Sequence, residues 1–264
     1  MSFVLVTNDD GVDSPALPAL ARALGASWPV RVVAPAGERS WIGKAITRHE
    51  EVAVERVERG GVEMRAASGY PADCAQLGIH CLWPERPEMV VSGINLGFNH
   101  GRAFLLSSGT VGAAAEGWIA GLPAIALSTG DLEDHAGWSK RAWRAPSAGM
   151  WERLAALAAD VVRDVREVGF PEGVDVLSVN FPHSADLDTP RRVTSLARVG
   201  YDRLFQPGEN PGTWRHDFGG AFRRLGPLEG TDLQAARDGS VSITPIRLAH
   251  TAELPGHVRR RLER

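Results

Sequence analysis

Cysteine is nearly missing from this chain: 264 residues contain two, Cys74 and Cys81. Two thiols cannot build a disulfide framework, and their i, i+7 spacing suits one helix face, where both are expected to be buried. No stretch approaches the roughly 18 apolar residues that a membrane span needs. The N-terminus has no basic region ahead of an apolar one and runs straight into a strand pattern. No membrane association is therefore expected, and a cytoplasmic location is. An excess of one charge is also absent, since the net charge is −3 with 23% charged residues. No basic stripe points to nucleic acid, and no acidic tail points to a polycation. The segment HVRRRLER (257–264) is locally basic. Nothing aromatic or basic elsewhere extends it, so it reads as a solvated helix end.

What is present is an alternation of strands and helices. Phe3 to Thr7 is a short apolar run suited to a central parallel strand covered on both faces. Ser14 and Pro15 follow as an N-cap and first helical residue for PALPALARALGA. Further strands are predicted over 29–35, 62–66, 89–95, 123–129, 174–182 and, late, 240–248. The 62–66 strand belongs to a hairpin-like excursion. Helices are predicted over 71–83, 110–121 and 144–168. This rhythm implies an α/β, Rossmann-like fold, with a mainly parallel sheet wound by right-handed crossovers and helices on both faces. Residues 1–184 form the core in this reading, and 185–264 a C-terminal extension. Within the extension, 200–230 is rich in Gly, Pro and aromatic residues without clean periodicity. It is too long for an ordinary loop and reads as a β-rich arm or a lid.

The chemistry of such sheets gathers at the carboxyl ends of the strands. The first strand ends in Asn8, Asp9 and Asp10, and the second leads to Ser40 in a turn-rich loop. The third ends in SGINLGFNHG, with Asn95 and Asn99 among glycines. SSGTVGAAAEG then places Ser107, Ser108, Gly109 and Thr110 where a helix begins. Each part alone has a plain structural reading as a cap, a turn residue or a left-handed loop position. Their joint placement favours chemistry. Carboxylates, a hydroxyl and amides are oxygen ligands, which suit Mg²⁺ or Mn²⁺ rather than zinc. A dication also lets two adjacent acids both stay ionised. The SSGT turn offers backbone N–H groups at a helix start, a ready anion site. A metal beside an anion cradle points to phosphate. No GxxxxGK[ST] motif occurs, and GINLGFNHG is not GxGxxG, so neither a P-loop enzyme nor a dinucleotide fold fits. An aspartyl-phosphate phosphatase fits poorly because its acids are usually spaced by one residue.

The ordered motifs VTNDDGVDSPAL, APAGERSWIGKAIT, GYPADC, VVSGINLGFNHG, SSGTVGAAAEG and EGTDLQAARDGSVSITP together resemble the SurE family, the stationary-phase survival nucleotidases. The resemblance spans nearly the whole chain. It implies a metal-dependent phosphatase acting on nucleoside 5′- and 3′-monophosphates, with one divalent ion per subunit. Its metal ligands fall on Asp9, Asp10, Ser40 and Asn95, and its phosphate contacts on Asn99, Ser108, Gly109 and Thr110. Asp9 and Asn99 are then the candidate catalytic residues, with Asp9 as base or water-orienting group. The family's fold implies a C-terminal arm exchanged between subunits, giving a homodimer or homotetramer. Departures from the family's pattern are Tyr70, Ser107 and the pair Trp41-Ile42, all of which bear on the nucleoside pocket. A nucleotide-binding regulatory module with little turnover is the alternative from another class. His100, His250, Glu116 and Asp73 read as structural, and Lys44 as a possible added charge near substrate.

Overall fold

The run VLVT forms strand β1 (Val4–Thr7) at the centre of the computed structural model, which describes residues 2–144, 147–218 and 222–263. Its alternation sends Phe3 and Leu5 to one side of the sheet and Val4 and Val6 to the other, and all four are buried. Helix α1 (Ala16–Gly25) follows, then β2 (Val30–Pro35), the hairpin of β3 (Val54–Arg59) and β4 (Val62–Ala67), and α2 (Pro71–His80). Strand β5 (Met89–Leu96) leads to α3 (Gly101–Ser107) and α4 (Gly109–Ile119), then to β6 (Ala124–Gly130), α5 (His135–Ala142), α6 (Ala148–Val168) and β7 (Val176–Pro182). The remainder holds β8 (Arg191–Val193), β9 (Val199–Tyr201), β10 (Phe205–Pro207), β11 (Trp214–His216), β12 (Phe222–Arg224), α7 (Asp232–Arg237), β13 (Val241–Ile246) and α8 (Gly256–Leu262).

Nine strands form one sheet in the order β3-β4-β2-β1-β5-β6-β7-β13-β8. Strands β4 through β7 run parallel, as expected for crossover connections. The sheet is nevertheless mixed, because β3 pairs antiparallel with β4 and β13 antiparallel with β7. Helices α1 and α6 cover the face of Val4 and Val6, with Trp151, Leu154, Leu157, Ala158, Val161 and Val162 of α6 spaced three and four apart. Helix α2 covers Phe3 and Leu5 on the other face, and α4 packs beside it on β5 and β6. Because the chain moves from β1 to β2 on one side and to β5 on the other, the crevice at the carboxyl ends of β1 and β5 is the sheet's switch point.

Several expectations shift. Pro15 already has helical angles and precedes the first helical residue, while the Ser14 N–H closes a turn onto the Gly11 carbonyl. Ser14 therefore gives the helix no side-chain cap, although its carbonyl accepts from the Leu17 N–H at 3.2 Å. Helix α2 ends at His80, so Cys74 is buried but Cys81, just past the end, is exposed rather than packed. Burial also pushes the Cys74 thiol well above its ordinary range. Two further helices, α3 and α5, precede α4 and α6. Residues 145–146 of the long predicted helix lie outside the described residues, as do 219–221 of the arm and 264 of the basic end. The described part of 200–230 forms two small antiparallel pairs, β10 with β11 and β12 with β9.

Asp73 has the structural role expected of it. Its carboxylate accepts from the Tyr70 N–H at 2.8 Å, closing the start of α2, and from the Thr47 hydroxyl at 2.6 Å and N–H at 3.0 Å. Asp73→Ala removes a helix cap and leaves the Thr47 groups unpaired. It should lower the urea-unfolding free energy by about 1–3 kcal/mol, read as a lower midpoint at unchanged slope.

Candidate active site

Past β1 the chain turns sharply. The Asn8 amide donates to the Gly11 carbonyl at 3.0 Å and its oxygen accepts from the Gly11 N–H at 3.1 Å. Gly11 sits at φ +90°, and a Cβ there would lie 2.9 Å from the Gly37 backbone. This turn needs glycine, and it aims Asp9 into the crevice and Asp10 toward the backbone of β5. The two carboxylates are only 3% and 5% exposed, yet they face different partners. Asp9 Oδ1 accepts from the Thr110 hydroxyl at 2.5 Å, and Asp9 also accepts from the Thr110 N–H. Asp10 Oδ2 accepts from the Leu96 N–H of β5 at 3.0 Å.

Burial raises the Asp9 carboxyl to about 6, against its Thr110 hydrogen bonds. Burial first, and then the charge of Asp9, pushes Asp10 well above the ordinary carboxylate range. No basic side chain is among the groups that offset either acid. Glu38 instead adds negative charge to both. The structure thus contains two adjacent buried carboxylates that need a cation to ionise together.

A cleft of about 380 Å³ opens over this point and is lined by Asp9, Ser40, Asn95, Asn99 and Ser108. Gly109 and Thr110 join it from behind through Asp9. A Cβ on Gly109 would stand 2.8 Å from the Asp9 Cβ, so the helix start and the acid are in direct contact. Ser108 is the N-cap of α4, its hydroxyl accepting from the Val111 N–H at 3.1 Å. Asn95 donates its amide to the Gly97 carbonyl at 2.6 Å, which turns its amide oxygen away from that bond. Asn99 donates its amide to the Ser128 hydroxyl at 2.7 Å, and its N–H donates to Asn180. Ser40 lies on the exposed rim, its hydroxyl donating to Glu38 at 2.7 Å. Among the described residues, no three His, Cys, Asp or Glu side chains group as a metal site. A divalent ion here would draw on Asp9 and Asp10 plus the neutral oxygens of Ser40 and Asn95. That hard-oxygen set, with two acids lacking a counter-charge, fits magnesium or manganese.

Sequence reasoning missed several lining residues, among them Asp131, Phe104, Phe218 and Glu38, and Glu38 adds its charge to both acids. Its one visible signal was its place two residues before Ser40 in the AGERS loop. Lys44, a possible added charge near substrate, pairs with the buried Glu116 of α4, which also accepts from Gln76 at 2.5 Å. His100 lines the cleft but is buried and stacked on Phe98, with ring centroids 4.3 Å apart. Burial lowers its pKa to about 3.

With this geometry in view, comparison with known proteins is informative. Residues 4–203 match the family model described as Survival protein SurE. A 5′-nucleotidase SurE of Methanocella arvoryzae is 38% identical over 255 residues, covering 94% of this chain and 93% of that protein. One from Geobacter sulfurreducens is 38% identical over 248 residues, covering 93% and 87%. The crystal structure of the SurE protein from Aquifex aeolicus superimposes with a TM-score of 0.76 at 32% identity, over 99% of both chains.

The raised carboxyls have a consequence for stability. Both hold their protons more tightly folded than unfolded, and the stability that Asp9 contributes is full below about 4 and lost as pH rises through about 6. In chelator, the melting temperature should fall across this window, and Asp9→Asn should flatten the fall. An equal slope in wild type and variant would contradict the assignment.

Proposed function

Because the chain belongs to the Survival protein SurE family, we propose that it is a divalent-metal-dependent phosphomonoesterase. It hydrolyses nucleoside 5′-monophosphates, and 3′-monophosphates as well, to nucleoside and phosphate. One observation carries the reading: a buried pair of adjacent acids with no basic partner abuts a helix N-terminus at the switch point of the sheet. The names of the relatives support the nucleotide as substrate.

Asp9, Asp10, Ser40 and Asn95 would hold one Mg²⁺ or Mn²⁺ per subunit. When bound, such an ion supplies the positive charge that draws electrons from a phosphate oxygen. Asn99, the Ser108 hydroxyl and the N–H of Gly109 bind the remaining phosphate oxygens. Thr110 acts on the phosphate through Asp9, whose position it sets. Asp9 orients a water in line with the ester bond and takes its proton as the ribose oxygen departs. His100 does not supply the leaving group's proton, because burial holds its imidazole neutral, so that proton comes from solvent. Unaided monoester hydrolysis is so slow that enzymes accelerate it by up to ~10²¹-fold, and fixed charge is the main lever available here.

Two further parts of the proposal concern setting. The arm of residues 200–230 joins subunits into a homodimer or homotetramer, and its exposed Phe205, Trp214 and Leu225 suit such an interface. The location is the cytoplasm; no helix among the described residues is long and apolar enough to cross a membrane.

Asp9→Asn and Asp10→Asn should each lower Mn²⁺- or Mg²⁺-dependent phosphate release from AMP by at least ~10²-fold, with the circular dichroism spectrum retained. Each should also weaken the stabilisation that Mn²⁺ gives in a thermal melt. Full turnover in either variant ends the model. A chain that binds AMP but releases no phosphate with either metal is instead a nucleotide-binding module.

A further inference from the structure

The cleft has a second end, which the phosphate chemistry leaves unused. There the lining changes from Asp9, Asn95 and Asn99 to Trp41, Phe104 and Phe218. These rings come from three separate segments: the loop after β2, helix α3 and the arm after β11. Trp41 is their hub. Its ring lies 5.3 Å from Phe218, 5.7 Å from Tyr201, 6.0 Å from Phe104 and 4.9 Å from His216. All four meet it edge-on or tilted, at 58° to 69°, so none of them uses the parallel stacking geometry. The indole remains 38% exposed, toward the cleft that it lines.

The backbone holds Trp41 there at some expense. At φ +59° it is the one non-glycine residue with positive φ among the described residues, a conformation unfavourable for a bulky side chain. Two main-chain bonds bracket it. The Arg39 N–H donates to the Asp9 carbonyl at 2.7 Å, and the Gly43 N–H donates to the Ser107 carbonyl at 2.9 Å. One bond ties the loop to the acid turn, and the other ties it to the residue before the α4 cap. Buried Glu116 secures the following turn through Lys44. A strained residue so firmly determined by its surroundings is the pattern of a functional position.

We infer that Trp41, backed by Phe104 and Phe218, is the platform on which the nucleobase of the substrate stacks, and that it selects nucleoside monophosphates, purines above all, over plain sugar phosphates. The inference takes the phosphate end of the site from the phosphomonoesterase reading. The size of the cleft agrees, since about 380 Å³ is in the range of small-ligand pockets. Purines gain most because they offer the larger ring face, and stacking on an aromatic side chain needs no base-specific hydrogen bond.

The test compares AMP with ribose 5-phosphate on the Mn²⁺-loaded full chain, in wild type, Trp41→Ala and Trp41→Phe. It adds adenosine binding followed by tryptophan fluorescence. Trp41→Ala should lower the AMP to ribose 5-phosphate ratio of kcat/KM by about tenfold or more, mainly through KM for AMP. Trp41→Phe should keep that ratio within about threefold of wild type, since an aromatic face remains. Adenosine should quench wild-type emission, and Trp41→Phe should abolish most of the quench although seven of the eight tryptophans remain. An unchanged ratio in Trp41→Ala, a proportional loss on both substrates, or an intact quench in Trp41→Phe overturns the inference. If wild type hydrolyses neither ester, the phosphomonoesterase reading fails, and the adenosine quench still decides whether Trp41 forms a base platform.

Discussion

Two carboxylates on consecutive residues, both buried at the end of the central strand, are the constraint around which this molecule is arranged. Like charges so close cannot both ionise in a poorly solvated site without compensation. The fold offers them partial comfort only: a hydroxyl and an N–H from Thr110 for Asp9, and one N–H from Leu96 for Asp10. Those bonds fix direction without neutralising charge. The pair therefore lacks a counter-charge within the fold, and the folded chain carries a penalty that grows as its acids ionise.

The neighbouring elements make sense as supports for that pair. Helix α4 opens with Gly109 against Asp9 because any side chain there would occupy the position of the acid. The same helix uses Gly112 against the Gly43 carbonyl and Gly117 against Val90, so it lies close to both the Ser40 loop and β5. Close approach brings a helix N-terminus, with its partial positive charge, beside the two acids. Asp232 serves a similar end from the far side. It accepts from the Gly101 N–H at 2.7 Å and the Ala197 N–H at 2.9 Å, tying the start of α3 to the C-terminal segment. The Trp41 platform thus stands on a frame braced from both halves of the chain.

How much of this was legible in the sequence follows from how each element is stabilised. The buried strands Val4–Thr7 and Met89–Leu96 could be read directly as apolar runs because both faces are covered, and helix Ala148–Val168 by its spacing because burial on one face dictates it. Strand β3, VERVER, could not. It is an edge strand whose residues are all exposed or only half-buried, and its pairing with β4 comes from the hairpin rather than from a core. Helix α3 is seven residues long and buries little of its surface, so its sequence carries no period to detect. Glu38 escaped notice for a related reason. It is an exposed loop residue, and only the folded path of the loop brings it over the acids. The strand-end residues Asp9, Asn95 and Asn99 and the cap residue Ser108 were visible because their place on the sheet is set by topology. Ser40 and Thr110 gain their meaning from contacts that only coordinates reveal.

The two acids differ in what surrounds them. Asp10 turns to the backbone of β5 and is not among the cleft-lining side chains. Asp9 lines the cleft, and Thr110 holds one of its oxygens in place. Adjacent in sequence, the two are separated in role by the environment that each side chain meets. That division follows from the turn itself: Asn8 and Gly11 reverse the chain within three residues, so successive side chains leave it in different directions. A longer or more flexible turn would let both acids face the cleft and compete for the same water. The tight turn thus sets one acid against β5 and the other at the cleft.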